Sequence, residues 1–258
     1  MTRTKSRRGL KFLLGILAAL VALFFLAEIS LRVFIAQQIK TSFLDSAPES
    51  VTVEREPKVY FGAQPVLFGL ATGKIHHINL DLPSTLTPDS TYIAGTPSAK
   101  INATGFILDP DDPRADRVEV HTILPQAVVR DMLQRELGAS LEESGDDSFP
   151  GYTQILSVTN VQANPDNSTF TITFSNGAFA VELRPNIQNG QPVFEAVSTE
   201  LLGRTLPDFF SDAVSVALKR GLNDQVVGTM KIERFDVVDG GFAVTIIGEN
   251  VHFNELQV

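Results

Sequence analysis

The sequence predicts an α+β protein: an N-terminal membrane helix, then a curved antiparallel sheet wrapped on one or two apolar helices. Three observations predict it. Residues Leu10–Ala27 form a nearly unbroken apolar run behind Arg3, Lys5, Arg7 and Arg8. Beyond residue 50, short segments alternate apolar and polar side chains, and only two segments, opening near Pro125 and Pro207, recur at three and four residues. The order strand, strand, helix occurs twice without βαβ spacing or a Gly-rich phosphate loop, which favours antiparallel pairing.

The apolar run decides where the chain resides. From Phe12 it holds sixteen uncharged residues before Glu28. That is roughly 24 Å of helix, short for a ~30 Å hydrocarbon core unless Leu10, Ile29 and Leu31 contribute and Lys11 snorkels. A basic stretch before an apolar one also describes a secretory signal. Cleavage wants small residues, and of Leu23, Phe24, Phe25, Leu26, Ala27 and Glu28 only Ala27 is small. An uncleaved signal-anchor is therefore expected, with a secreted form if cleavage occurs. The basic cluster stays cytoplasmic and residues 41–258 become the extracytoplasmic domain, in a periplasm-like space. Residues 29–40 continue a loose helical pattern, read as a stalk that hands over near Asp45–Ser50.

Charge separates the two parts. Residues 1–40 hold seven of the 21 Lys/Arg and one of the 30 Asp/Glu, so residues 41–258 carry 14 basic and 29 acidic side chains, a net of −15. This excludes nucleic acid as a partner and offers no electrostatic attraction to anionic head groups. Any lipid must be held through apolar surface. The absence of Cys excludes disulfides and thiol chemistry. Eighteen Phe with no Trp point first to a Phe-packed core, with an acyl-chain cavity as the alternative, since both need dry apolar side chains.

The elements follow in order. Residues 51–61 alternate around Pro57 and read as an extended or edge segment. In residues 62–73 Pro65 opens a short helix carrying Val66, Leu67, Phe68 and Leu70, with Gly69 and Gly73 for turning. Lys74–Leu82 is a half-buried strand with His76, Ile78, Leu80 and Leu82 on one face. Residues 91–108 give one or two strands, with Phe106 and Ile107 on opposite faces. An acidic loop precedes a strand at 117–123 and a helix from Pro125 that Gly138 is expected to stop. Polar residues 138–151 are the best internal boundary between two possible halves. Strands follow near 152–162, 169–175, 178–184 and 192–200, with Asn176-Gly177 as a hairpin turn. A helix from Pro207 to Gly221 and a closing hairpin turning at Asp239–Gly241 complete the chain.

Gly62, Pro65, Leu67 and Gly73 between two strands, with Ile75–Leu82 after them, resemble the LmeA-like phospholipid-binding family, and the layout likeness extends over residues 30–255. The resemblance implies a tubular lipid-binding type of architecture. It also implies an exported or membrane-anchored envelope protein of high-GC Gram-positive bacteria. The implied partner is a phospholipid of the phosphatidylinositol class or its mannosides, and the implied pathway is lipomannan-type lipoglycan biosynthesis.

Chemistry-bearing motifs are sparse. There is no G-x-S-x-G, and adjacent strand positions keep His76 and His77 from sharing a metal. Asp109, Asp111, Asp112 and Asp116 lack the Gly and closing Glu of a calcium loop and read as a solvated turn. No cofactor, metal or catalytic residue is expected. Apolar candidates for lipid contact are Phe61, Val66, Leu67, Phe68, Leu70, Ile78, Leu80, Phe106, Phe170 and Phe174, with His76 as head-group candidate. At ~0.8 kcal/mol per CH₂, half of a ~16-carbon chain contributes roughly 6 kcal/mol without any basic patch. The rival readings are a structural docking subunit of an envelope membrane complex and a hydrolase using Asp109 or Asp112.

Overall fold

The computed structural model describes residues 7–47, 55–87, 93–107, 109, 111–143, 157–201, 204–205, 208–223 and 228–253. The expected strand positions 51–54 and 152–156, and residues 144–151 of the acidic connection, lie outside them. Helix α1 runs unbroken over Arg7–Ser46, 40 residues. At ~1.5 Å per residue that is about 60 Å, twice a ~30 Å hydrocarbon core. It is long and apolar enough to cross a membrane. Next come β1 (Lys58–Phe61), α2 (Val66–Thr72), β2 (Lys74–Leu82), β3 (Ala99–Ile107), β4 (Arg114–Pro125) and α3 (Gln126–Glu143). The remainder is β5 (Val158–Asn164), β6 (Thr169–Phe174), β7 (Phe179–Gln188), β8 (Gln191–Leu201), β9 (Arg204–Thr205), α4 (Asp208–Asn223), β10 (Lys231–Val238) and β11 (Gly241–His252).

Local signals account for the boundaries. Pro65 stands at the N-cap of α2, and Gly73, at φ 72°, closes the helix in the left-handed conformation while its N–H reaches the carbonyls of Gly69 and Leu70. Helix α3 starts directly after Pro125 but passes Gly138, because an interior glycine costs only about 1 kcal/mol when the flanking residues stay helical. Ser175, Asn176 and Gly177 all take positive φ in the β6–β7 turn.

The architecture is α+β with antiparallel pairing, as the sequence predicts. Its strands form two open sheets, in the orders β1-β2-β3-β4-β11-β10 and β5-β6-β7-β8-β9. The division arises because α3 follows β4 without a turn and carries the chain away, leaving one edge of β4 for the closing hairpin. Strand β11 takes that edge, from Gly241 opposite Pro125 to His252 opposite Arg114.

One core joins the second sheet, α3, α4 and the β10–β11 end of the first sheet. It includes Leu133, Phe170, Ile172, Phe174, Leu183, Leu218, Ile232 and Phe242. Phenylalanines knit it together: Phe174 stacks on Phe179 at 4.5 Å, and Phe170 meets Phe242 edge-on at 5.1 Å. Of the two sequence-level readings of the Phe excess, these rings serve the packed core.

A line of broken alternation crosses the first sheet. The pairs Ile75–Phe106 and Ile78–Ala103 both face inward, with two outward rows between them, one of which holds His77 opposite Thr104. The ladder omits the intervening His76–Gly105 and Asp116–Asn250 pairs, where Gly105 (φ 66°) and Asn250 (φ 50°) are left-handed. A defect of this kind bends strands. It also exposes His76, whose face the simple alternation assigns to Ile78.

Candidate functional site

The second half of α1 is docked on the domain. Glu28, buried, receives the N–H of Val66 at 2.7 Å and of Leu67 at 2.9 Å, the first donors of α2. Such donors have no partner within their own helix, and the N-terminal end of a helix favours an anion. Arg32, one turn on, pairs with Glu28 at 2.6 Å. Its guanidinium also donates to the carbonyls of Gly62 at 3.2 Å, Gln64 at 3.0 Å and, at the limit of reach, Phe61 at 3.5 Å. Leu31 and Ile35 pack beside this clamp on a small core of Val66, Ile75 and Ile78, with Val59, Phe61, Leu80 and Phe106 around it.

The inner face of the first sheet is largely apolar across β2, β3, β4 and β11. The cross-strand register aligns Leu82, Ala99, Thr122 and Val244 in one row, and Leu80, Ile101, Val120 and Ile246 in the next. Helices α1 and α2 cover this face at the β1–β2 end, and the main core covers it at the β10–β11 end. Between the two covers lies a cavity of about 360 Å³, lined by Phe43 of α1, Leu222 of α4 and, from the sheet, Leu82, Ala99, Val120, Thr122, Leu124, Ile232, Val244 and Ile246, with Thr96 and Pro97 at the margin. Among the described residues, no charged side chain lines it. That volume sits at the lower end of the roughly 300–1,000 Å³ of small-molecule sites. The arrangement can take an apolar chain.

The structure gathers five of the eleven predicted residues and separates the rest. Phe61, Val66, Ile78, Leu80 and Phe106 meet in the small core under α1. Leu67 is half-buried on α2, whereas Phe68 and Leu70 are exposed. The Phe68 ring lies 5.9 Å from Phe24 of α1. His76 lines a separate pocket of about 230 Å³ with His77 and residues 61–66. It stands six residues from the cavity's Leu82, about 20 Å along the strand. Phe170 and Phe174 are fully buried in the main core and are not among the residues lining the apolar cavity. Sequence reasoning missed the cavity wall itself. Its signal was present in the alternation of Val120, Thr122 and Leu124 and of Val244 and Ile246, but alternation does not say which part of a face stays uncovered.

The acidic loop is tied into the fold. Asp112 accepts from His252 at 2.7 Å and pairs with Arg114 at 3.3 Å. Asp116 pairs with Lys74 at 2.6 Å, and Asp109 accepts the N–H of Asp111. On the outer face of the first sheet a pocket of about 290 Å³ is lined by Arg55, Asp81, Lys100 and His121 among others.

No curated protein and no solved structure matches the chain. A family model described as LmeA-like phospholipid-binding matches residues 26–251, from the foot of the apolar run through the last strand. The match covers most of the chain, and the chain belongs to the LmeA-like phospholipid-binding family.

Proposed function

We propose that this chain is a membrane-anchored extracytoplasmic phospholipid-binding protein that acts without catalysis, as a carrier or accessory factor in envelope lipid or lipoglycan biosynthesis of the lipomannan type. The apolar cavity between Phe43, Leu222 and the first sheet carries this reading. Residues 41–258 form the domain outside the membrane, and the N-terminus is cytoplasmic. An acyl chain fills the cavity, while the α2 end, with Leu67, Phe68, Leu70 and His76, is where lipid is first met. Phosphatidylinositol or its mannosides are the preferred cargo, His76 contacting the head group. Asp109 and Asp112, the carboxylates a hydrolase would use, are engaged in structural contacts, which supports a binding role.

The test uses the full chain, purified from its membrane in mild detergent, extracted with organic solvent and analysed by mass spectrometry against bulk membrane lipid. Stoichiometric phospholipid enriched in inositol species is the expected result. A lipid profile identical to the bulk membrane, unchanged when the cavity is filled by Ala99→Leu, rejects the carrier reading.

A further inference from the structure

Helix α2 and the loop before it present a combination that water does not require. Phe68 and Leu70 are 61% and 45% exposed, and Phe68 extends an apolar surface begun by Phe24, Phe25 and Leu26 on α1. That surface continues past Glu28 on the outward side of α1, where Ile29, Val33 and Phe34 are 59%, 55% and 66% exposed. The run from Phe12 to Ala27 is itself short for a bilayer, and these residues supply the missing length.

The loop's backbone is treated accordingly. Within hydrocarbon, irregular backbone is tolerated only where the protein satisfies its polar groups. Glu28 takes the N–H groups of Val66 and Leu67, and Arg32 takes the carbonyls of Phe61, Gly62 and Gln64. The two charges also neutralise each other at 2.6 Å. An ion pair of this kind on the membrane helix, with its hydrogen-bonding capacity spent on one loop, is suited to holding that loop in an apolar medium.

We infer that α2 is a membrane-inserted tip: Phe68 and Leu70 lie in the acyl-chain layer of the outer leaflet beside α1, with the Glu28–Arg32 pair as the clamp that carries the loop to that depth. The partner is the bilayer's hydrocarbon surface. This fixes the β1–β2 end of the first sheet at the membrane, so the apolar inner face begins where lipid is available. The inference rests on the anchor reading of α1, and is independent of which lipid, if any, fills the cavity.

The chain has no Trp and accepts single Trp reporters. Full-length Phe68→Trp and Leu70→Trp variants are reconstituted into phosphatidylcholine vesicles containing phospholipid brominated along the acyl chain. Phe25→Trp reports on α1, and Ile123→Trp, 53% exposed on the outer face of the first sheet, reports on water. For a side chain about 5–10 Å into the interface, emission at 68 and 70 shifts to the blue and falls about twofold or more, as at 25, while 123 is unaffected. Quenching at 25 with 68 and 70 behaving like 123 overturns the inference and leaves the anchor standing. Quenching at none of them overturns both. Quenching at 68 and 70 without 25 marks carried lipid on an unembedded protein and likewise overturns the inference.

Discussion

Glu28 and Arg32 stand one turn apart on α1 and divide a single loop between them, the carboxylate taking its N–H groups and the guanidinium its carbonyls. Helix α1 is thereby joined to α2 by polar contacts at the point where its apolar run ends.

Glu28→Gln keeps the size of the side chain but leaves Arg32 without its counter-charge and α2 with weaker acceptors. Charge-assisted hydrogen bonds are worth about 1.5–3 kcal/mol, and a loss in that range is expected at this contact. Amide exchange at Val66 and Leu67 should accelerate well before the main core is affected. The exchanged pair Glu28→Arg with Arg32→Glu should not restore protection, because the α2 donors then face a cation. Full rescue by the swap would reduce the clamp to a simple ion pair.

Filling the cavity separates lipid binding from folding. Ala99→Leu places added carbons into the space between Phe43 and Val120. Its melting temperature should stay near the parent's, while co-purifying phospholipid falls about tenfold, the equivalent of about 1.4 kcal/mol. Unchanged lipid content would move the site elsewhere.

Phe170→Ala probes the other core. The side chain is fully buried between Phe194 and Phe242. A loss of about 3–5 kcal/mol is expected, lowering the melting temperature by roughly 6–20 °C in a domain of this size. Phospholipid bound per folded molecule should be unchanged, and a selective loss of lipid at parental stability would return Phe170 to the binding site.

Two glycines distinguish conformational strain from crowding. Gly73→Ala meets open space and pays only for its φ of 72°, about 1–2 kcal/mol. Gly105→Ala pays a similar cost at φ 66° and also brings a Cβ to 2.1 Å from Asp116 Oδ2, displacing the Lys74 pair. Denaturant melts should rank Gly105→Ala as the more costly by up to about 1 kcal/mol, the scale of an exposed ion pair. Equal losses would mean that Asp116 moves aside freely.

His76→Ala tests the head-group role. The residue is exposed, so stability should change by less than about 0.5 kcal/mol. The ratio of phosphatidylinositol to phosphatidylcholine taken up by the full chain should fall, and an unchanged ratio would remove His76 from the site.

Much of this protein was legible before any fold was known. The apolar run with its basic flank, the Pro65-to-Gly73 helix, the Asn176-Gly177 turn and the two amphipathic helices are local features, set by propensities and periodicities that act over a few residues. The loop shared by Glu28 and Arg32 was not legible, since it lies more than 28 residues away in sequence.

What only the tertiary structure decided are the relationships between distant segments. Strand β11 could close on any edge with a matching apolar row, and the exit of α3 from β4 left that one open. The outward turn of His76 follows from a left-handed glycine on the neighbouring strand, which no pattern within residues 74–82 records. Phe170 and Val120 both sit in strands with apolar alternation, yet one is sealed in the core and the other lines the cavity. The sequence by itself determines that each has an apolar face to bury. Which faces are covered by α3 and α4, and which are left open between α1 and α4, depends on how helices of fixed length fall across a bent sheet.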